Sequence, residues 1–312
     1  MIGIDVGGAN LKMVEGNRVA SWYCPLWEKA PLVEHLRAFR EAHPDPYAAV
    51  VMSGELADCF GSKMEGIRSI VASVKEVWPG ALFYGTDAAF HREPVPQLAA
   101  ANWLAAVDLL RARYPRAVLL DIGSTTTDIL PLARFSDLLG LTDLVRLRRG
   151  YLLYTGLLRT PVAAQVSAVT IQGERVPVSS EHFAIAADAH LVLGHIAPRE
   201  YSCDTPDRKE KNVGAALRRL ARVVCSDLEE IGPEGAMEIA RQVWEAQRDQ
   251  VRAAVDRVAR ESGADHVVVA GIGSSLFARE LGGLDLAKQM GAVSDALPAY
   301  AVKEVALRGA GP

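Results

Sequence analysis

No stretch of this chain reaches the ~18 consecutive uncharged apolar residues that a membrane-spanning helix requires, and the opening "MIGIDVGG" has neither the basic segment nor the long apolar run of a secretory leader. Cysteine is scarce. Cys24, Cys59, Cys203 and Cys225 show no C-x-x-C spacing and fall far short of a disulfide scaffold, so a reduced, cytoplasmic chain is expected. Positive charge is not in excess either: a formal net charge of -4 gives no basic field, which argues against nucleic acid as a partner. His182, His190 and His195 lack the H-x-x-x-H spacing of a zinc site and read as satisfied or solvated helix histidines. No G-x-x-x-x-G-K-[ST] motif marks a P-loop.

What remains is the profile of a soluble globular protein, with half its residues hydrophobic and 23% charged. At 312 residues it has the length for two cores. The first 23 residues read as three short strands with turns at Gly7-Gly8 and Gly16-Asn17. A helix is predicted from Pro31 to about Ala42, then strands at 48–54 and 81–85 around a helix near 63–77, and a helix over 97–114. The second half predicts a hairpin around Gln172-Gly173, helices near 181–194, 213–230 and 234–262, and an exposed, charged loop over 201–211. "DHVVVAGIGSSLFAREL" reads as strand, glycine turn and helix, before a short closing helix.

Two turns carry the chemistry. Asp5-Val6-Gly7-Gly8-Ala9-Asn10-Leu11-Lys12 aligns with Asp121-Ile122-Gly123-Ser124-Thr125-Thr126-Thr127-Asp128, 116 residues later, and each follows an apolar strand. A strand ending in Asp, then Gly, then small or hydroxyl residues sets a carboxylate beside backbone N–H groups that bind phosphate oxygens, while the carboxylate holds a Mg²⁺ those oxygens share. Ordinary polar hairpins are the bland alternative, and the matched register of the two favours phosphate. A third turn, Gly271-Ile272-Gly273-Ser274, offers close backbone approach to a ligand at a helix start, against the simpler reading of a tight turn capped by Ser274.

Two D-x-G hairpins, a late G-x-G turn and an alanine-rich final helix resemble the acetate kinase, sugar kinase, heat-shock chaperone and actin superfamily. More narrowly, "IGIDVGGANLK", "SGELADCF", "LLDIGSTTTDILP", "GYLLYTGLLRTPV", "AADAHLVLG" and "VSDALPAYAV" are similar to the tetrahydromethanopterin-linked one-carbon pathway family, related to hydantoinases and oxoprolinases. The resemblance implies an α/β, two-lobed, actin-like (ribonuclease H-like) fold with a cleft between duplicated halves. The first lobe would span 1–115 with a helix at about 292–312 returning to it, and the second 116–291. It implies transfer of an (aminomethyl)furan-methyl group from its diphosphate to the phenol oxygen of γ-glutamyltyramine or tyrosine, releasing pyrophosphate, in methanofuran or methylofuran biosynthesis.

On that reading Asp5 and Asp121 hold Mg²⁺. Gly7, Gly8, Asn10, Lys12, Gly123, Ser124, Thr125 and Thr126 hold diphosphate, joined by Gly271, Gly273 and Ser274. Asp128 orients a water or acts as base. Glu55, Asp87, Tyr154, Arg159 and Asp188 are acceptor-site candidates, with Asp58, Thr155 and Thr160 behind them; for Glu55, Asp58, Asp87 and Asp188 a helix start or an exposed carboxylate is the competing reading. The partners are small molecules, and a homodimer is compatible with the sequence. Two rival functions stay open: an ATP-dependent small-molecule kinase or hydantoinase-like ATPase binding ATP/ADP at the third turn, and a nucleotide-switched activator.

Overall fold

The computed structural model describes residues 1–28 and 30–309, so positions 310–312 of the predicted closing helix lie outside the described residues. It is a mixed α/β protein built on two principal sheets. In the first, β1 (Ile2–Val6), β2 (Asn10–Glu15) and β3 (Arg18–Tyr23) form an antiparallel meander. Strands β4 (Ala48–Met52) and β5 (Leu82–Tyr84) extend it parallel to β1, and β6 (Phe90–His91) closes the far edge.

The second sheet repeats that order. Strands β7 (Ala117–Ile122), β8 (Thr127–Pro131) and β9 (Leu152–Leu153) make the meander. A separate hairpin, β10 (Ala168–Ile171) and β11 (Glu174–Pro177), intervenes before β12 (His266–Ala270) and β13 (Leu284–Asp285) run parallel to β7. The register is also the same: Asp5 stands opposite Lys12, and Asp121 opposite Asp128.

Strand periodicity decides which core each side chain joins. On β4, Val50 and Met52 pack with the helices Leu32–Ala42 and Lys63–Val77, while Ala49 and Val51 face a larger core that runs through helix Asn102–Leu110 into the second sheet. The C-terminal helix Leu297–Gly309 lies on β1 and β4 and against Asn102–Leu110. Gly3 makes this possible, because a Cβ there would collide with the Ala299 carbonyl. Helix Lys63–Val77 starts where Ser62, as N-cap, accepts the Glu65 N–H at 3.2 Å. Among the described residues no helix is long and apolar enough to cross a membrane.

Three predicted helices are shorter than expected. In place of 97–114, a 3₁₀ turn at Pro96–Leu98 and Ala100 at φ 46° precede Asn102–Leu110. The 181–194 helix is Ala186–Val192. The 213–230 helix stops at Arg222, with Cys225 left-handed at φ 57°, and the 31-residue helix Gly232–Ser262 follows. The 201–211 segment is only in part the exposed loop expected: Ser202, Asp204, Arg208, Lys209 and Glu210 are exposed, but Tyr201, Cys203 and Thr205 are buried. The cause is Arg219, itself fully buried, whose guanidinium donates to Asp207 at 3.1 Å and to the Glu210 carbonyl at 3.3 Å and so draws that segment inward.

Candidate active site

Each hairpin closes with the same bond. Gly7 N–H donates to the Asn10 carbonyl at 2.9 Å, and Gly123 N–H donates to the Thr126 carbonyl at 3.0 Å. The first turn is backed by the end of β4, where the Ser53 and Gly54 N–H groups both donate to the Val6 carbonyl. Gly54 packs so closely that a Cβ would lie 2.9 Å from the Gly7 carbonyl.

The second turn is cradled by the segment 155–160. Leu157 N–H donates to Gly123, and the Leu158 and Arg159 N–H groups donate to Ser124, at 2.8–3.1 Å. A Cβ on Gly156 would lie 2.5 Å from Thr125 N, so only glycine lets the cradle close. Thr155 and Thr160 are buried within it, Thr155 accepting from Thr127 through its carbonyl at 2.6 Å. Behind them Gln247 donates to Thr155 Oγ1 and the Gly156 carbonyl and meets His190 Nε2 at 2.9 Å. Burial, with the neighbouring His195 adding, pushes His190 down to about 3, which makes it a neutral structural histidine.

The two tips meet. Asn10 Nδ2 lies 3.4 Å from Ser124 Oγ. Lys12 Nζ donates to the Asp295 carbonyl, just before the C-terminal helix. Arg159 reaches Thr125 Oγ1 at 3.5 Å and stacks at 4.8 Å over the Trp27 ring, which comes from the other end of the chain.

Electrostatically the meeting point is an acid cluster around one lysine. Asp5 is 7% exposed, and its Oδ1 has no partner among the described residues. Burial pushes its pKa up to about 6, with Lys12 opposing and Asp128 adding. Asp121 goes up to about 7, mainly through burial, then through repulsion from Asp128, Asp5 and Asp295, again with Lys12 opposing. Two raised carboxylates, one with an unmatched buried oxygen, fit a divalent cation that would share its remaining positions with phosphate. Among the described residues no third His, Cys, Asp or Glu completes an all-protein metal site around them. Asp128 is different. Burial raises it, but Arg146 counters through an ion pair, and that buried guanidinium also holds Asp143 at 2.7 Å and lies 4.4 Å over Trp103.

The remaining sequence-predicted residues divide. Gly271, at φ 80°, leaves room for no side chain because a Cβ would strike the Asp121 carboxylate, and Gly273 abuts Ile122 while donating to its carbonyl at 3.2 Å. Their close approach is therefore to the end of β7, and Ser274 is buried at the helix start. Glu55 is 2% exposed beside the first turn. Tyr154 projects outward at 70% exposure, and Asp58 is exposed. Asp87 is engaged in its own turn, accepting from Ala89 N–H at 3.2 Å and meeting His91 at 3.1 Å. Asp188 does not join the cluster: fully buried, it accepts from Arg219, Tyr201 and the Ile185 N–H, and it is a core ion pair. Arg146, Trp27 and Asp295 were not singled out by the sequence reading. Only Asp295 had a signal, lying in the quoted "VSDALPAYAV".

Fold and site together define a mixed α/β protein in which two acid-and-glycine hairpins converge on one buried cluster. The chain belongs to the hydantoinase/oxoprolinase family, whose profile matches residues 47–302. It is 34% identical over 289 residues to the (4-{4-[2-(gamma-L-glutamylamino)ethyl]phenoxymethyl}furan-2-yl)methanamine synthase of Methanocaldococcus jannaschii, covering 89% of this chain and 87% of that one. The protein of the same name from Methanococcus vannielii is 36% identical over 177 residues, 57% of this chain and 80% of that one. Likeness to solved structures is weaker: nucleotide-free acetone carboxylase, 9% identical with a TM-score of 0.49, covers 96% of this chain and 69% of that one.

Proposed function

We propose that this protein is an alkyl transferase that makes a furanylmethyl aryl ether: it joins an (aminomethyl)furan-methyl diphosphate to the phenol oxygen of γ-glutamyltyramine or tyrosine. The observation that carries the reading is the 34% identity to a synthase named for that ether, sustained over 89% of the chain. The matched hairpins support it, and we read the two sheets as two actin-like lobes, 1–115 with the C-terminal helix and 116–291, enclosing the cleft.

The bond from the furan-methyl carbon to the diphosphate oxygen breaks, its electron pair leaving with pyrophosphate, and the positive charge spreads into the ring. The phenol oxygen then bonds that carbon and gives up its proton to the departing pyrophosphate. The protein's main task is to stabilise the leaving anion. Lys12 supplies a charge; the Gly7–Asn10 and Gly123–Thr126 turns supply N–H and hydroxyl donors. Asp5 and Asp121 would hold Mg²⁺, which when bound neutralises diphosphate charge. Asp128, already paired with Arg146, orients the region around Asp121, and closure of the tips through Asn10 and Ser124 keeps water from the reactive carbon.

Incubating the purified protein and Mg²⁺ with the furan diphosphate and either acceptor should give the aryl ether by mass spectrometry, with one pyrophosphate per ether and no need for ATP. ATP hydrolysis stimulated by the acceptor, without ether, would overturn the reading.

A further inference from the structure

Among the described residues, three buried side-chain atoms without a hydrogen-bond partner lie outside the proposed diphosphate site yet close to it: Glu55 Oε2, Trp103 Nε1 and Arg146 Nε. They share one neighbourhood. The Arg146 guanidinium lies 4.4 Å over the Trp103 ring. Trp103 belongs to helix Asn102–Leu110, and burial raises the pKa of Glu55 while the N–H of Ala100, just before that helix, partly opposes the rise. Asp143, ion-paired to Arg146, is also a charged neighbour of Glu55.

Glu55 leaves the chain one residue after Gly54, which is packed on Gly7, and Arg146 holds Asp128, the cross-strand partner of Asp121. The neighbourhood therefore adjoins both proposed phosphate turns.

A carboxylate serving only to start a helix would be satisfied by the Ala100 N–H. Glu55 has a second oxygen left over, in a place where unmatched acceptors are costly and rare. Trp103 and Arg146, linked to Glu55 through Asp143 and the start of helix Asn102–Leu110, add two unmatched N–H donors to the neighbourhood. The complementary ligand carries a cationic donor next to a neutral acceptor. A furan-2-yl methanamine has that pattern, an ammonium and a ring oxygen with two carbons between them.

We propose that Glu55 binds the ammonium group of the furan substrate, with Trp103 Nε1 facing the ring oxygen, so that these groups select an aminomethyl furan over a furan without the amine. The inference rests on the proposed function for its substrate. Glu55 is thus assigned to the furan donor and not to the phenol acceptor.

The test compares the aminomethyl furan diphosphate with the analogue in which methyl replaces aminomethyl. Wild type should favour the amine by about tenfold or more in kcat/KM, as for a charge-assisted hydrogen bond in a buried site. Glu55→Gln should reduce that preference to about twofold or less while retaining its melting temperature. Should Glu55→Gln fail to fold, Glu55→Asp, which keeps the charge but withdraws it, should weaken the same preference. A Glu55 variant that keeps the full preference, or that loses both substrates equally, overturns the proposal. Calorimetry with 2-furylmethanamine and 2-methylfuran separates this idea from the transferase reading. Glu55-dependent binding of the amine alone would uphold the ammonium site even if no ether forms; equal binding of the two compounds would overturn it.

Discussion

Asn10 and Ser124, 114 residues apart in sequence, face each other at 3.4 Å across the tips of the two hairpins. Each sits in a turn closed by a glycine N–H and follows an aspartate whose cross-strand partner is charged, Lys12 in one case and Asp128 in the other. The contact brings two acids, a lysine and two rows of backbone donors to one place.

Removing the lysine or one acid should therefore stop turnover without unfolding the protein. Lys12→Ala and Asp121→Asn are each expected to lower kcat by about a hundredfold or more, the scale of losing a preorganised transition-state contact. Far-ultraviolet circular dichroism should be unchanged. Wild-type rates in both variants would remove these residues from the site.

The raised acids also set a pH dependence of stability. The folded protein holds protons on Asp5 and Asp121, at about 6 and 7, that the unfolded chain releases near 3.8. Between about pH 4 and 7 the native state binds more protons than the unfolded state, so their contribution falls as pH rises. The ligand-free protein is expected to lose stability from pH 5 to pH 8 on this account, by on the order of a few kcal/mol. Asp121→Asn should flatten that slope in thermal melts, whereas an identical slope would show that Asp121 titrates normally. Mg²⁺ should raise the melting temperature more at pH 8 than at pH 5.

Gly156 transmits packing to the second turn. Gly156→Ala forces a Cβ against Thr125 N, and is expected to cost about 1–3 kcal/mol and to reduce activity by displacing Ser124 and Thr125. Gly80→Ala is the control, since nothing lies within 4 Å of its Cβ position; it should stay within about 0.5 kcal/mol of wild type in urea unfolding.

Asp188 should behave as core and not as site. Asp188→Ala leaves the Arg219 guanidinium buried without its main partner and is expected to cost about 3–5 kcal/mol in urea unfolding. A stable Asp188→Ala protein with a specific defect in acceptor KM would return Asp188 to the acceptor site.

The sequence made the hairpins legible because their signals are local: apolar strand, acid, glycine, small polar residues, strand. The long helix expected over 234–262 was legible for the same reason and is observed over Gly232–Ser262. Long-range pairing was not. Nothing local around 201–211 announces that Arg219 will draw it inward, and nothing in "DLVRLRR" marks Arg146 as the partner of Asp128. Gly271 looked like a ligand contact because the need for a missing side chain shows in sequence, while the neighbour that imposes it, Asp121, shows only in three dimensions.

The central claim is that both hairpins hold one diphosphate. A crystal structure with Mg²⁺ and pyrophosphate tests it most directly: the prediction is a single pyrophosphate between Gly7–Asn10 and Gly123–Thr126, its metal on Asp5 and Asp121. Pyrophosphate bound at the Gly271–Ser274 turn instead, or touching one hairpin alone, would contradict it.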